Sequence, residues 1–340
     1  MEAAMLVPAF YRDKSLKCQS LVASMVALFK QRGISADKLF KGTGIFVADL
    51  KQMDKLLSPQ QLNQLIENAL KLWKGDDLSF LLGQFWLAEQ SQQLATGLIS
   101  SSDISQAFAF WNKFKWLTHP WLQIHLLETQ DYWHVIFSLD VGAQQHQDFF
   151  YENLFATFQS MYKQMTKQQL KAVYSFPYPQ PKQLAYYHKY FGQDIEFSAP
   201  VCRMSICKAA LQPVYSQISH NTSTRLIEHN VYKVLKEQPF RKGLQGYIRK
   251  QLKQNKVSLD EMAEQLALSP ASLKRRLKEC QTSYQALHDE AQLINALMAL
   301  SQHEPNDVAK QLDYRDSSNF RRTFKRWTGE LPSNYRLWLA

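Results

Sequence analysis

The sequence predicts an α+β amino-terminal domain followed by an all-α carboxy-terminal domain, in which two helix-turn-helix units are joined by a connecting helix. Three observations predict this order. Residues 1–230 hold six of the eight Trp and seventeen of the twenty Phe. Residues 231–340 hold 19 Lys and Arg but 12 Asp and Glu, a net charge of +7. Helical periodicity of apolar residues runs from residue 247 to the end, whereas the front part mixes helical and alternating patterns.

Length and composition limit the classes of function. A chain of 340 residues suggests two or three domains. The formal charge of +10 favours a polyanionic partner. Four Cys without a CxxC pair indicate reduced thiols. The sequence contains neither a signal-peptide pattern nor an apolar run of about 18 residues, so we expect a cytoplasmic protein without a membrane span.

Alternating and helical patterns in the front part predict the α+β domain. Residues 121–128 and 132–138 alternate around a polar break, which predicts a β-hairpin. Ser58 and Pro59 predict the start of a helix. We assign residues 1–230 to this domain and place the junction between Ser219 and Glu237, within and after a polar stretch. Further elements are predicted as helices over 78–97, 102–117, 148–165 and 184–190, and strands over 170–176, near Ile195 and over 203–207.

The first helix-turn-helix unit is predicted at about residues 258–280. Ser258 and Glu261 form a capping-box pattern that starts a short helix. Ala267 and Leu268 then form a tight turn. Ser269 is the predicted N-cap of the second helix, since a proline follows it at the first helical position.

The second unit is predicted at about residues 305–327 and repeats this arrangement. Asp316 is the predicted N-cap of its second helix, 47 residues after the N-cap of the first unit. Phe320 and Phe324 are expected to face the core. Residues 283–300 carry apolar positions at helical spacing and predict one helix that connects the two units.

The second helix of such a unit enters the major groove of DNA, where Arg reads guanine through O6 and N7. Small or polar residues at the helix start permit close approach, and long donors follow one turn later. A basic helix face that only contacts solvent is the alternative, but two units in tandem favour double-stranded DNA as a partner. The candidate DNA-binding residues are Ala271, Ser272, Lys274, Arg275, Lys278, Ser317, Ser318, Arg321, Arg322 and Lys325.

The segments MAEQLALSPASLKRRL and VAKQLDYRDSSNFRRTFKRWTGELPSNYR resemble the paired DNA-binding units of AraC/XylS-type transcriptional regulators. The resemblance implies a seven-helix DNA-binding domain at residues 236–340, with two recognition helices in successive major grooves on one DNA face. Asp313 and Gln281 stand where that family commonly has Gly, and Gln292 stands where it commonly has Arg. We therefore expect Asp313 to substitute for Gly in the left-handed conformation or to strain the turn.

The order of parts in the front domain, and the segment HKYFGQDIEFSAPVCRMSICKAALQ, resemble the effector and dimerisation domain of the arabinose-binding-domain-like subgroup. This implies a small-molecule effector and a homodimer, with RNA polymerase as a further candidate partner. Low charge between residues 108 and 137 suits an apolar or amphipathic effector, and His119 or His125 offers an anchor for a carboxylate. Ordinary core packing is the alternative for each aromatic residue. The candidate effector residues are Trp111, Lys113, Lys115, Trp133 and His134.

Patterns for catalysis are absent from the sequence. It has no GK[ST] phosphate loop, no HExxH and no G-x-S-x-G motif, so we expect no enzyme activity, no cofactor and no metal. Two alternatives to a sequence-specific regulator remain. One is an enzyme with a basic tail that tethers it to nucleic acid. The other is a non-specific DNA binder, whose affinity would depend on salt far more than on sequence.

Overall fold

The structure, a computed structural model, shows an α+β region followed by a helical region, which confirms the predicted fold class. The predicted junction between residues 219 and 237 lies outside the described part of the chain, as does the end of the helix predicted over 78–97. The structure describes residues 7–16, 19–51, 55–89, 104–115, 119–140, 142–215 and 241–339.

In the described residues, five α-helices precede the sheet. They are α1 (Gln19–Gln31), α2 (Ala36–Phe40), α3 (Pro59–Leu72), α4 (Leu78–Glu89) and α5 (Ile104–Phe114). The start of α3 follows from its sequence, because Ser58 and Gln61 form a reciprocal cap. The Ser58 hydroxyl accepts from the Gln61 amide at 3.2 Å, and the Gln61 side chain accepts from the Ser58 amide at 3.1 Å.

The sheet has five strands in the order β1-β2-β5-β3-β4 within the described residues. The strands are β1 (Leu122–Glu128), β2 (Tyr132–Leu139), β3 (Ala172–Ser175), β4 (Ile195–Glu196) and β5 (Cys202–Cys207). The accompanying helices are α6 (Gln147–Thr166), α7 (Ala185–Phe191) and α8 (Lys208–Tyr215). Strands β1 and β2 pair antiparallel, which confirms the predicted hairpin.

One face of the sheet packs on a core of aromatic side chains. Phe155 of α6 contacts Tyr174, Phe176 and Phe137 edge-on, with ring centroids 5.0 to 5.6 Å apart. Helix α4 packs so closely on α6 that a Cβ atom at Gly83 would lie 2.5 Å from the Asn153 carbonyl oxygen. This core fixes α6 against the sheet and leaves the other sheet face for a different partner.

The other face of the sheet packs on the carboxy-terminal helices. Ile136 of β2, Leu127 of β1 and Val201 form one buried cluster with Leu293 and Leu297. Side chains on a strand alternate between faces, so β2 contributes to both cores. The sheet is therefore the wall between the front region and the helical region.

Seven helices form the part of the chain from 241 to 339 that the structure describes. They are α9 (Leu244–Gln254), α10 (Leu259–Gln265), α11 (Pro270–Glu279), α12 (Tyr284–Leu300), α13 (Pro305–Gln311), α14 (Ser317–Thr328) and α15 (Pro332–Leu339). Both predicted N-caps are present. The Ser269 hydroxyl accepts from the Ser272 amide at 3.2 Å, and the Asp316 carboxylate accepts from the Asn319 amide at 2.7 Å.

Three non-glycine residues in the left-handed conformation follow helices of this region. The φ angles are 53° at Ala267, 55° at Gln281 and 63° at Asp313. The expectation that Asp313 adopts this conformation in place of Gly is confirmed. The left-handed conformation costs an L-residue about 1–2 kcal/mol. The packing of the helices on either side of each turn offsets this cost.

Replacing Gln281 with glycine is expected to stabilise the protein by about 0.5–1 kcal/mol, because glycine adopts φ 55° without steric cost. The matched control is Gln292→Gly inside α12, which should destabilise by about 1 kcal/mol. Urea denaturation of both variants measures the two effects. A loss of stability in Gln281→Gly as large as that in Gln292→Gly would contradict the strain assigned to this turn.

Candidate nucleic-acid interface and interdomain cavity

Helix α11 presents a polar and basic face to solvent. Leu273 and Leu277 are fully buried against α10 and α9, which orients the helix. The predicted DNA-binding positions lie on the other faces. Ser272 is half-buried, and the exposed positions are Ala271, Lys274, Arg275 and Lys278.

Helix α14 is oriented in the same way. Phe320 and Phe324 are fully buried and lie 5.7 Å apart between ring centroids. Among the predicted positions Ser317 is half-buried, and Ser318, Arg321, Arg322 and Lys325 are exposed. The Arg321 guanidinium donates to the Asn306 side chain at 3.3 Å, which connects α14 to α13. In the described part of the chain, no carboxylate forms an ion pair with Arg322 or Lys325.

The two helix-turn-helix units are connected by charge as well as by α12. Lys256, ahead of α10, forms an exposed ion pair with Asp313 in the turn between α13 and α14. The hydrogen bond from Lys256 lowers the pKa of Asp313. The Arg326 guanidinium lies 3.6 Å from the Asp289 carboxylate of α12. Both pairs are largely exposed to solvent, so they add little to the contact of the second unit with the rest of the domain.

Residues near the amino terminus contact the first unit, and sequence reasoning missed this contact. The Arg276 guanidinium of α11 lies 3.9 Å from the centroid of the Phe10 ring. Arg12 forms an ion pair with Glu279 at 3.6 Å. Arg276 therefore belongs to the domain contact, although it stands beside two predicted DNA-binding residues. Helical spacing leaves Arg276 out of the predicted DNA-binding face, but no local pattern predicts its contact with Phe10.

Backbone hydrogen bonds also connect the two regions. The Ala9 amide donates to the Lys242 carbonyl at 2.8 Å, and the Leu244 amide donates to the Ala9 carbonyl at 3.0 Å. The buried Gln245 side chain accepts from the Gly142 amide at 2.9 Å and donates to Gln144 at 2.8 Å. The start of α9 is therefore fixed to the front region on two sides.

Arg249 of α9 is the central polar contact between the two regions. Its side chain is 5% exposed. The guanidinium donates to the Leu139 carbonyl of β2 at 2.8 Å and to the Glu290 carboxylate of α12 at 2.6 and 3.0 Å. One side chain thus joins the end of the sheet to α9 and α12.

A cavity of about 440 Å³ lies beside Arg249, between β1 and α9. Burial, together with the nearby charge of Lys242, lowers the pKa of Lys115 to about 8. Burial, followed by the charges of Lys253, Arg249 and Lys115, lowers the pKa of His125 to about 4. The polar lining residues are Asn112, Lys115, Gln123, His125, Asp140, Lys242, Arg249, Lys250, Lys253 and Asn295.

The predicted effector residues of α5 occupy different surroundings. Lys115 lines the interdomain cavity. Trp111 packs in the aromatic core, edge-on to Phe158 at 4.7 Å and to His119 at 5.8 Å between centroids. The side chain of Lys113 lies outside the described residues. Trp111 is not among the residues that line this cavity.

The predicted effector residues of β2 point to opposite faces of the sheet. Trp133 is buried with the aromatic core, and the Lys208 ammonium lies 5.2 Å from its ring centroid. His134 is buried, and its Nδ1 lies 2.8 Å from the Ser205 hydroxyl. Neither residue lines the interdomain cavity, so their role in effector binding remains a prediction.

Buried histidines predict a loss of stability in acid. Burial lowers the pKa of His119 to about 3. Burial, together with the nearby charge of Arg203, lowers the pKa of His134 to about 4. Below pH 6.5 the unfolded chain binds protons that the folded chain does not, so this stability is present above about pH 6.5 and declines as pH falls. His119→Phe should therefore flatten the decline between pH 6.5 and 4.5, by up to about 1.4 kcal/mol per pH unit.

Urea denaturation at several pH values measures this slope, with the exposed His303→Phe as the matched control. Glu152 acts in the opposite direction, because burial raises the pKa of its carboxyl to about 8. The difference between variant and wild type isolates the histidine from this contribution. An unchanged slope in His119→Phe would show that His119 takes up its proton in the folded state as readily as in the unfolded chain.

Comparison with known protein families decides the identity of the two regions. Residues 33–213 match the arabinose-binding domain of AraC transcription regulators, and residues 262–337 match a helix-turn-helix domain. The chain belongs to the AraC family of transcription regulators. Its front region is an arabinose-binding-like domain, and α9 to α15 form a helix-turn-helix DNA-binding domain.

Several known proteins are similar to this AraC-family chain. The ornithine utilization regulator of Pseudomonas aeruginosa is 27% identical over 341 residues, which cover 98% of this chain and 97% of that protein. An uncharacterized HTH-type transcriptional regulator of Mycobacterium tuberculosis is 33% identical over 100 residues, 28% of this chain and 29% of that protein. The crystal structure of the transcriptional regulator CdpR from Pseudomonas aeruginosa aligns with a TM-score of 0.44 and 16% identity, over 93% of this chain and 97% of that one.

A membrane-spanning helix and a metal site are both absent from the described part of the chain. In that part of the regulator, no helix is both long and apolar enough to cross a membrane. Within the same residues, no three His, Cys, Asp or Glu side chains are grouped so as to hold a metal ion. Of the cysteines described, Cys202 and Cys280 are buried, and burial raises the pKa of Cys280 to about 12.

Proposed function

We propose that this AraC-family regulator binds specific sequences of double-stranded DNA through α11 and α14. The exposed faces of these two helices carry this proposal. Each helix buries two large apolar residues, has a half-buried Ser and a small exposed residue at its start, and leaves Arg and Lys one turn later in solvent. A recognition helix of a helix-turn-helix unit requires this arrangement, because its first turns enter the major groove.

We assign two different tasks on DNA to four of the ten predicted positions. Arg275 and Arg322 are the readers of guanine, since their planar guanidinium groups match O6 and N7. Lys278 and Lys325, a turn or less further along, contact phosphates and set the register. Helix α12 is buried in the cores of both units, and it keeps the two recognition helices at one spacing.

The front domain modulates DNA binding in this proposal. It binds a small-molecule effector and mediates a homodimer in the cytoplasm, where RNA polymerase is a candidate partner. An effector changes the population of two states only if it binds them with different affinity. The 27% identical relative named for ornithine utilization supports a small metabolite as the class of effector. No catalytic step is part of this function.

The contrast between Arg322→Ala and Lys325→Ala tests the proposed roles. Arg322→Ala is expected to weaken binding to the specific site by about 1–3 kcal/mol, with little change on scrambled duplexes. Lys325→Ala is expected to weaken binding to all duplexes alike and to lower the dependence of log affinity on log salt by about 1. Fluorescence anisotropy titrations at several salt concentrations measure both quantities.

Lys182→Ala is the control for general charge, because Lys182 is exposed on the front domain. It should change neither affinity. Equal losses on specific and scrambled DNA for Arg322→Ala would instead support the non-specific binder, since phosphate contacts carry no sequence information.

A further inference from the structure

The interdomain cavity has an excess of positive charge. Lys115 approaches from the end of α5, whereas Lys242, Lys250 and Lys253 belong to α9 and the residues before it. Asp140 is the acidic side chain among the lining residues. In the described part of the chain, no carboxylate lies within ion-pair distance of Lys242, Lys250 or Lys253. The charge of Arg249, by contrast, is matched by Glu290.

A buried imidazole atom lies in the same cavity. His125 of β1 lines the cavity, and its Nε2 atom is buried without a hydrogen-bond partner among the described residues. A buried polar atom without a partner is rare and costly in folded proteins. The positive charges of Lys253, Arg249 and Lys115 all act on this histidine. All three residues line the same cavity as His125.

The remaining lining residues include a compact apolar surface. Leu122 and Ile124 of β1 and Ile294 of α12 belong to it. A volume of about 440 Å³ lies in the ordinary range for small-molecule sites. A DNA duplex cannot enter a cavity of this volume. The side chains of His125 and Lys115, which line it, are therefore suited to an anion smaller than DNA.

We propose that this cavity binds an organic anion with two or more negative charges, such as a di- or tricarboxylate. Lys115 and His125 contact the ligand from the front domain, and Lys250 and Lys253 contact it from α9. The lining lysines outnumber the acidic lining side chain, which favours a ligand with more than one carboxylate and disfavours a diamino acid such as ornithine. The identification of this ligand as the effector rests on the proposed function, whereas the anion site itself does not.

The position of the site gives the ligand a role in domain arrangement. Its two walls belong to different domains, so an anion bound there contacts both. Binding relieves the repulsion among the lysines only while the two walls are together. The ligand therefore stabilises the docked arrangement of α9 on β1 and lowers the freedom of the DNA-binding domain.

Isothermal titration calorimetry of the full chain with citrate and succinate tests the site, with ornithine and L-arabinose as cationic and neutral controls at constant ionic strength. We expect saturable one-site binding of citrate and no binding of ornithine. Lys115→Gln and, separately, the exposed Lys253→Gln should each weaken citrate binding at least tenfold. The matched control Lys182→Gln should leave it unchanged.

If neither citrate nor succinate shows saturable binding to the wild-type chain, the proposal is overturned. A citrate affinity that is the same in wild type, Lys115→Gln and Lys253→Gln would also overturn it. An equal loss of affinity for scrambled DNA in Lys115→Gln would assign the lysines to phosphate contacts and overturn it as well. Without citrate, the ratio of the affinity for specific DNA to the affinity for scrambled DNA is expected to be the same in Lys115→Gln and wild type. This measurement therefore distinguishes a failure of the anion-site proposal from a failure of the DNA-binding proposal.

Discussion

Phe320→Ala is expected to destabilise the second helix-turn-helix unit by about 3–5 kcal/mol, the usual cost of removing a buried Phe side chain. Phe320 is fully buried and contacts Tyr314 at 5.2 Å and Phe324 at 5.7 Å between ring centroids. Its neighbours belong to the cluster that also holds Ile136 of the sheet. Loss of the ring therefore weakens both the unit and its contact with the front domain.

Hydrogen exchange measures this effect locally. Amides of α13, α14 and α15 should exchange about a hundredfold or more faster in Phe320→Ala, while those of α6 should keep their rate. The footprint on specific DNA should contract to the half contacted by α11. The matched control is Phe46→Ala, since Phe46 is 66% exposed and loses few contacts on truncation. Unchanged exchange in α14 would contradict the position assigned to Phe320.

Arg249→Leu is expected to cost about 3 kcal/mol, because it leaves the Glu290 carboxylate and the Leu139 carbonyl without their donor. Removing one partner of a buried ion pair generally costs about 3–5 kcal/mol. Glu290 is partly exposed, with 30% of its side chain accessible, and water moderates the loss. The variant should also unfold in two transitions, because the main polar contact between the domains is removed.

The matched control is Arg12→Leu, which also removes an Arg–Glu pair. Arg12 is 71% exposed and lies 3.6 Å from Glu279, so its loss should cost no more than about 1 kcal/mol. Differential scanning calorimetry and urea denaturation of both variants measure the contrast. Equal and small losses in the two variants would contradict the central role of Arg249.

The DNA-binding domain was predictable in detail because its signals are local. Ser269 and Asp316 cap their helices through amides three residues ahead, so a short window of sequence contains both partners. The spacing of Phe320 and Phe324 likewise fixes which face of α14 is buried, and thereby which face contains Arg322. Asp313 in the left-handed conformation was also predictable, since the resemblance placed it at a glycine position.

The contacts between the domains were not predictable from local patterns. Ala9 pairs with Gly243, and Phe10 lies under Arg276, across more than 230 residues of sequence. Helical spacing separates Arg276 from the predicted DNA-binding face, but only the fold shows that it contacts Phe10. The alternation along β2 predicts two faces, but it does not predict that the connecting helix covers Ile136.

The candidate effector residues show the same limit. Aromatic richness predicted effector contacts at Trp111 and Trp133; both side chains belong to the aromatic core, and their role in effector binding stays a prediction. Lys250 and Lys253 have the pattern of a solvated helix face, and they became cavity residues only through the packing of α9 beside β1. Charge composition therefore predicted a polyanionic partner, but it did not predict the interdomain cavity that we propose as an anion site.

Selective DNA binding is the central claim, and fluorescence anisotropy of the full chain tests it most directly. The probes are duplexes from the DNA upstream of the chain's own gene and scrambled duplexes of equal length, at about 0.15 M salt, with and without citrate. We predict at least one upstream duplex that binds a hundredfold or more tightly than its scrambled counterpart. Affinities that are equal on every duplex and follow salt alone, with and without citrate, would contradict the account.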